Sequence, residues 1–320
     1  MHGKSHSSLG FGQGLSIGTA LSIFVAVLTL TLAAGTTKPV PAEALTVGVG
    51  DNGPGMFNDP HFQRLETRIS RKILPYDFYK HQWDRDNLDR WMAGAKAQGI
   101  QPLVAFNHSN VRPKRLPSVG QFRYALRYLL RKYPQVRTIS PWNEANHHTQ
   151  PTAKRPKRAA QYYNAARKIC RRCKIVAADV LDQKNMLPWI KKFRRYAKRP
   201  SLWGLHSYRD TNRRISWRRS ATRKLLKKVR GKVWLTEVGG LVAFGRNYRY
   251  SESRAKVATR RTLALAKKSR RIQRVYFYAW HGTDHARMRR PYLWDSGLMG
   301  ADGKPRPAFY VLRKWIRKYQ

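Results

Sequence analysis

Carboxylates are scarce in this 320-residue chain: 17 Asp and Glu stand against 65 Lys and Arg, for a formal net charge of +48. Beyond residue 44 the only glutamates are Glu66, Glu144, Glu237 and Glu252. Chemistry that needs a glutamate therefore has four places to sit. Cysteine is scarcer still, with Cys170 and Cys173 alone in Ile-Cys-Arg-Arg-Cys-Lys. Two thiols without further soft ligands nearby exclude a zinc knuckle, and a redox pair belongs at the start of a helix, whereas this one closes a predicted helix. A local Cys170–Cys173 disulfide is the expected state, with free thiols as the alternative. Long apolar runs are absent except for Leu15 to Ala34, which excludes a multi-span membrane protein. The chain also lacks Gly-x-Ser-x-Gly and His-Glu-x-x-His, so neither a serine-hydrolase elbow nor a zinc-protease helix is available. No metal and no cofactor are expected.

The single apolar run follows Lys4 and precedes Pro39, Pro41 and Ala42-Glu43-Ala44, a small-x-small pattern. This is the layout of a secretory signal peptide over residues 1–44, with the body, 45–320, exported. An uncleaved anchor is the alternative, since the run is long enough to span a bilayer. Cleavage would remove Lys4, Lys38 and Glu43 and lower the charge of +48 by only one. Such a field attracts anionic polymers and is strongly salt-dependent. Nucleic acid, acidic polysaccharides and anionic envelope polymers are all candidate partners, and compositional drift toward arginine explains the charge without any partner.

Hydrophobic content of 42% and aromatic content of 12% describe a globular body. Eight β-type runs punctuate it: Leu45–Val49, Thr67–Pro75, Gln101–Phe106, Val136–Pro141, Lys174–Ala178, Leu202–Ser207, Lys232–Thr236 and Arg274–Ala279. Helical periodicity fills the gaps at Asp86–Gln98, Val119–Tyr133, Ala159–Cys170, Leu187–Ala197, Ala221–Val229, Arg254–Lys267 and Ala308–Tyr319, with a weaker pattern at Met56–Leu65. Eightfold strand–helix alternation predicts an α/β fold, a single-domain (β/α)₈ TIM barrel. The rival is an open doubly wound sheet. Gly48-Val49-Gly50-Asp51-Asn52-Gly53 has the Gly-x-Gly-x-x-Gly spacing of a dinucleotide turn, but Pro54 and Gly55 open no helix behind it.

Two of the four glutamates end predicted strands. Glu144 follows the fourth in Pro141-Trp142-Asn143-Glu144-Ala145-Asn146, and Glu237 follows the seventh in Trp234-Leu235-Thr236-Glu237-Val238-Gly239-Gly240. Chemistry in a (β/α)₈ barrel takes place at the C-terminal rim, where strands four and seven face each other across the mouth. A carboxyl pair in that position suits glycosidic cleavage. One group protonates the leaving oxygen, and the other attacks the anomeric carbon. The acid needs its pKa raised by burial or a negative neighbour.

These segments resemble the clan A glycoside hydrolases, which include families 5 and 39. The resemblance runs through the body as a series of strand-end residues, and Trp-Asn-Glu-Ala-Asn with Trp-Leu-Thr-Glu-Val-Gly-Gly are its most specific parts. It implies Glu144 as acid/base and Glu237 as nucleophile of a retaining O-glycosidase. It further implies Asn143 as the asparagine on the sugar 2-hydroxyl, Arg71 beneath the nucleophile, and His206 with Tyr208 beside it. Trp280 would floor the catalytic sugar subsite. Asn107-His108, Trp83, Trp203, Asp51 and the Trp294–Gly300 loop are looser subsite candidates. His147-His148 invites a metal reading, which adjacent side chains pointing different ways disfavour. The expected activity is cleavage of a polysaccharide or oligosaccharide, possibly an acidic or cell-envelope glycan, by a monomer. The competing readings are a non-catalytic polyanion- or glycan-binding protein on the same barrel and a secreted nucleic-acid binder.

Overall fold

A computed structural model describes residues 45–288 and 293–319. The expected signal segment, 1–44, lies outside them, and no described helix is long and apolar enough to cross a membrane. The strands in chain order are β1 (Thr46–Gly50), β2 (Ile69–Pro75), β3 (Gln101–Asn107), β4 (Thr138–Ser140), β5 (Lys174–Ile175) and β6 (Asp179–Leu181). They continue as β7 (Leu202–His206), β8 (Lys232–Val238), β9 (Ala243–Phe244), β10 (Ile272–Tyr278) and β11 (Trp294–Asp295). The helices are α1 (Pro60–Gln63), α2 (Gln82–Ala97), α3 (Val119–Lys132), α4 (Pro156–Ile169), α5 (Met186–Arg194), α6 (Tyr208–Asn212), α7 (Ala221–Lys228), α8 (Glu252–Ala266) and α9 (Pro307–Tyr319).

The main sheet runs β5-β4-β3-β2-β1-β10-β8-β7-β6, with every pairing parallel. Its two ends, β5 and β6, are consecutive in the chain. Between them the Val176 N–H donates to Ile139 of the β4 side, and the Ala177 N–H donates to Leu202 of the β7 side. One strand thus steps from one neighbour to the other and closes the ring. The eight-stranded barrel expected from the alternation is found, and the dinucleotide reading of Gly48–Gly53 falls with the open sheet. The β9–β11 pair is antiparallel and separate, an addition the sequence pattern did not suggest.

Two apolar layers hold the barrel. Ile69, Leu103, Val176, Trp234 and Tyr276 form a plug inside the ring. A larger cluster fills the space between strands and helices, with Val47, Val49, Phe106, Ile139, Val180 and Leu205 on the strand side. β1 contributes no side chain inward at Gly48, whose Cβ would come 2.1 Å from the Ile69 carbonyl. Local signals account for the helix ends. Ser118 and Gln121 form a complete capping box on α3, and Gly99 past α2 has φ +62°. Cys170 and Cys173 are disulfide-bonded in the turn from α4 to β5, as expected from the sequence.

Candidate active site

The site is built where strand ends depart from regular geometry. Along β7 and β8 the pairing passes from Gly204–Trp234 to His206–Glu237, so β8 advances three residues while β7 advances two. The same extra residue appears against β10, between Val275–Leu235 and Phe277–Val238. This bulge turns Glu237 toward the barrel mouth even though Thr236 already faces the interior. Glu144 sits in the left-handed region at φ +43°, a costly conformation for a residue with a Cβ. It is clamped on both sides: the Asn143 N–H donates to Phe106 O at 2.7 Å, and the Ala145 N–H to Asp179 O at 2.8 Å. Gly204 leaves room at the centre, since a Cβ there would lie 2.2 Å from Asp179 Oδ1.

Arg71 is the hub. From the buried face of β2 its Nη1 donates to Glu237 Oε2 at 2.6 Å, and its Nη2 to Asn143 Oδ1 at 2.6 Å and Asp179 Oδ2 at 3.1 Å. Tyr208 Oη donates to the other Glu237 oxygen at 3.0 Å. His206 Nδ1 lies 3.1 Å from Glu144 Oε1, and its Nε2 lies 3.3 Å from Asp179 Oδ1. Asp179 also accepts from Ser140 Oγ at 3.0 Å and from Thr236 Oγ1. Three carboxylates and two cations therefore share one small volume at the base of the cleft, with each buried charge paired as such charges must be.

The protonation pattern follows. Burial alone would push His206 down, but the charges of Glu237 and Asp179 and its hydrogen bonds to Asp179 and Glu144 raise it to about 10. It is an imidazolium near neutrality. Burial pushes Asp179 up, yet His206 and Arg71 overcome it and hold this group far below the usual carboxylate range. Glu144 is pushed up by burial as well, but the hydrogen bond and charge of His206 bring it below its ordinary value. The expectation of a raised Glu144 is thus corrected, because the neighbour that decides it is a cation. Burial, then the Glu237 charge, raises the Tyr208 phenol well above its ordinary value, so it stays a donor.

Glu144 and Glu237 open into a cleft of about 1070 Å³ that Asn107, Asn143, Tyr208, Tyr278 and Trp294 help to line. One wall is aromatic: Tyr208 packs edge-on against Trp294, and Trp294 against Phe244. Lys184, Arg209 and Arg213 line the cleft on the side of β6 and α6. Of the residues proposed from the sequence, Glu144, Glu237, Asn143, Arg71, His206 and Tyr208 come together here. Trp280 does not, and its assignment as subsite floor is corrected. It is fully buried, packs edge-on against Phe62 and Phe309, and donates from Nε1 to Asp59 at 2.9 Å. Tyr278 takes the place expected of it in the cleft. Trp203 is core on the outer face, donating to Arg230 O, and Trp83 is exposed on α2, outside the cleft lining. Asp51 reaches the cleft, but its carboxylate is occupied by the Gly53, Trp280 and His281 N–H groups. Sequence reasoning missed Asp179 and Tyr278 at the carboxyl pair, and Phe244, Lys184, Arg209 and Arg213 in the cleft wall.

Donor atoms of Glu144, His206 and Glu237 all lie within 4.8 Å of one another, the spacing of a metal site. The donor chemistry argues against one. Both His206 nitrogens face carboxylates and the ring is cationic, while Glu237 already accepts from Arg71 and Tyr208.

No protein-family model matches the chain, and no curated protein matches it in sequence. Solved structures do match in fold. A GH5_18 from Bifidobacterium longum subsp. infantis aligns with TM-score 0.65 and 16% identity, over 87% of this chain and 79% of that one. A GH5_18 variant from Streptomyces cattleya in complex with Manb1-4GlcNAc gives 0.64 and 16%, over 86% and 81%. Xylanase 10B from Thermotoga maritima gives 0.61 and 10%, over 87% and 96%. The chain is thus similar in fold to glycoside hydrolases of the clan that its strand-end residues resemble.

Proposed function

We propose that this chain is a secreted, retaining O-glycosidase with Glu237 as nucleophile and Glu144 as acid/base. The observation that carries the reading is the approach of Glu144 and Glu237 oxygens to within 4.8 Å across the cleft. That separation fits the short class, about 5–5.5 Å, and leaves no room for the water that an inverting enzyme places between its carboxyl groups. The fold neighbours, one bound to Manb1-4GlcNAc and one a xylanase, support a glycan substrate.

Glu237 is aimed and charge-compensated by Arg71 and Tyr208, so one oxygen is free to attack the anomeric carbon as the glycosidic bond breaks. Glu144 supplies the proton to the departing oxygen. That proton rests on His206, 3.1 Å from Glu144. A substrate that expels water deepens the burial of Glu144, which favours its neutral form and draws the proton across. In the second step Glu144 takes a proton from water, whose oxygen bonds to the anomeric carbon as the Glu237 ester breaks. Asn143, held by Arg71, presents its amide N–H groups to a sugar hydroxyl at the same centre.

The test is hydrolysis of a panel of neutral and acidic polysaccharides, with the first-formed anomer read by NMR. Retention is expected, and Glu237→Ala is expected to be inactive on every substrate. An inverted first product, or full activity in Glu237→Ala, overturns the mechanism.

A further inference from the structure

We infer that a groove between α4 and α5 binds an anionic polysaccharide chain leaving the cleft, an inference that rests on the glycosidase reading. The groove encloses about 770 Å³ and takes Lys154, Arg155, Lys157, Arg158, Lys192 and Arg195 from its two walls, with no carboxylate among its lining residues. A few surface cations elsewhere do find acids, as Lys132 does in Asp89 and Arg287 in Asp284. None of the six groove cations forms a salt bridge with a described residue. The cause lies in the sequence. From Arg90 to Arg209 the only carboxylates are Glu144, Asp179 and Asp182, of which Asp179 and Asp182 are buried and Glu144 faces the cleft. No acid reaches this flank, and the cations crowd one another until an external anion compensates them.

The groove continues the cleft. Thr149 and Gln150 line the cleft and Ala153 the groove; Lys184 lines the cleft and Asn185 the groove. Asn185 fastens the two, accepting from Asn146 Nδ2 at 2.9 Å and donating to Asn146 O at 2.9 Å, two residues from Glu144. A chain cut at Glu144 and Glu237 therefore meets Lys184 and then the groove cations in sequence. Arg158 is already set in place by Pro117 O and Gln161, so part of the site is preorganised. Two aromatic residues line the groove, but Trp189 is buried and only Tyr196 exposes its ring, beneath Lys157 at 5.3 Å. Successive stacking platforms, which single-stranded nucleic acids use, are missing from the lining. Repeated carboxylates on a sugar backbone match this pattern better.

The test measures binding without turnover, so it stands apart from the failure or success of hydrolysis. Polygalacturonate is titrated into the full chain at low salt, beside neutral dextran and a single-stranded oligodeoxynucleotide. One variant carries Lys154→Glu, Lys192→Glu and Arg195→Glu. A control carries Lys224→Glu, Lys227→Glu and Arg260→Glu on α7 and α8, outside the groove lining, with the same net charge change. All six are exposed. Losing three ion contacts weakens polygalacturonate binding roughly tenfold or more in the groove variant, against less than about twofold in the control. Should the reversal impair folding, judged by circular dichroism, the Lys154→Gln, Lys192→Gln, Arg195→Gln variant is used, with a smaller loss in the same direction. Equal losses in groove and control variants would show net charge alone at work and overturn the site. Tighter binding of the oligodeoxynucleotide with the same mutational loss would overturn the assignment to a polysaccharide.

Discussion

Replacing Asp179 with asparagine removes one charge and almost no volume from the centre of the barrel. In the native protein Asp179 lies between Arg71 and His206, whose Nη2 and Nε2 are only 3.3 Å apart. Its charge is one of those that raise His206 to about 10. The linkage sign is fixed by that elevation. Between about pH 6.5 and 10 the folded protein holds a proton on His206 that the unfolded chain has lost, so stability falls as pH rises, by about 1.4 kcal/mol per pH unit. His206 stabilises fully below about pH 6.5, and its contribution is gone above about 10. Lys72 acts in the opposite sense. Burial lowers it to about 8, so above that pH the unfolded chain binds the extra proton and stability recovers. Lys72 therefore leaves pH 6.5 to 8 to His206, whose own contribution falls there by about 2 kcal/mol.

In Asp179→Asn, burial and the facing Arg71 guanidinium work against the imidazolium with one counter-charge fewer. His206 sheds its proton earlier, and the fall between pH 6.5 and 8 flattens. The variant also leaves a buried charge pair broken, a cost of roughly 3–5 kcal/mol that lowers Tm by roughly 6–20 °C. Urea unfolding followed by tryptophan fluorescence, at fixed ionic strength across pH 6 to 10, reads both effects. Native stability that rises from pH 6.5 to 8, or an identical slope in Asp179→Asn, would refute the buried imidazolium.

Glu144→Ala is expected to lose roughly 10²–10⁴ in rate on poor leaving groups and far less on activated aryl glycosides, with added azide restoring turnover and yielding a glycosyl azide of retained anomer. Comparable losses on both substrate types would remove Glu144 from the proton-transfer role. Trp280→Ala is expected to cost roughly 3–5 kcal/mol of stability with KM unchanged, because the ring is core; Trp294→Ala is expected to raise KM with little change in unfolding midpoint. The reverse pattern would return Trp280 to the sugar. Thiol titration of the denatured, unreduced protein is expected to find no free thiol, and two would contradict the Cys170–Cys173 bond.

The barrel and most of the site were legible for a compositional reason. Where carboxylates are so few, a Glu at a strand end stands out, and Glu144 and Glu237 anchor everything around them. Arg71, His206 and Tyr208 then followed from the resemblance to the clan, with alternation placing His206 and Tyr208 on one face. Three features were hidden. Asp179 lies inside the sequence Ala177-Ala178-Asp179-Val180, where the expected strand stopped at Ala178; the chain instead changes neighbours there and resumes. A buried Asp between apolar residues was the available signal. Simple alternation along β8 puts Trp234 and Thr236 inward and Glu237 outward, and only the bulge reverses the phase at Glu237. Trp280, at the end of the eighth expected strand, was placed beneath the sugar by the resemblance alone. Its indole instead turns into the helix layer because Asp59 takes its Nε1 and Asp51 its backbone N–H. Those partners are more than two hundred residues away, beyond any local pattern.

The scarcity of acid also shapes the chemistry. A protein with net charge +48 surrounds any carboxyl group with a field that favours its ionised form. A glycosidase needs one carboxyl neutral at the moment of cleavage, so the fold must work against its own surface. Depth supplies the opposing force. Glu144 reaches into a site where burial is the largest influence on its proton, and that influence favours the neutral form. The nearest cation, His206, opposes it but also carries the transferable proton. Long-range surface charge is screened by salt and compensated by a bound polyanion, whereas the Glu144–His206 contact is short and part-buried and is screened much less. An anionic substrate on the α4–α5 groove would thus weaken the part of the field that keeps Glu144 ionised while leaving the proton-sharing pair intact. On this reasoning the basic flank and the carboxyl pair belong to one arrangement, in which binding of the polymer helps to set the protonation state that cleavage requires.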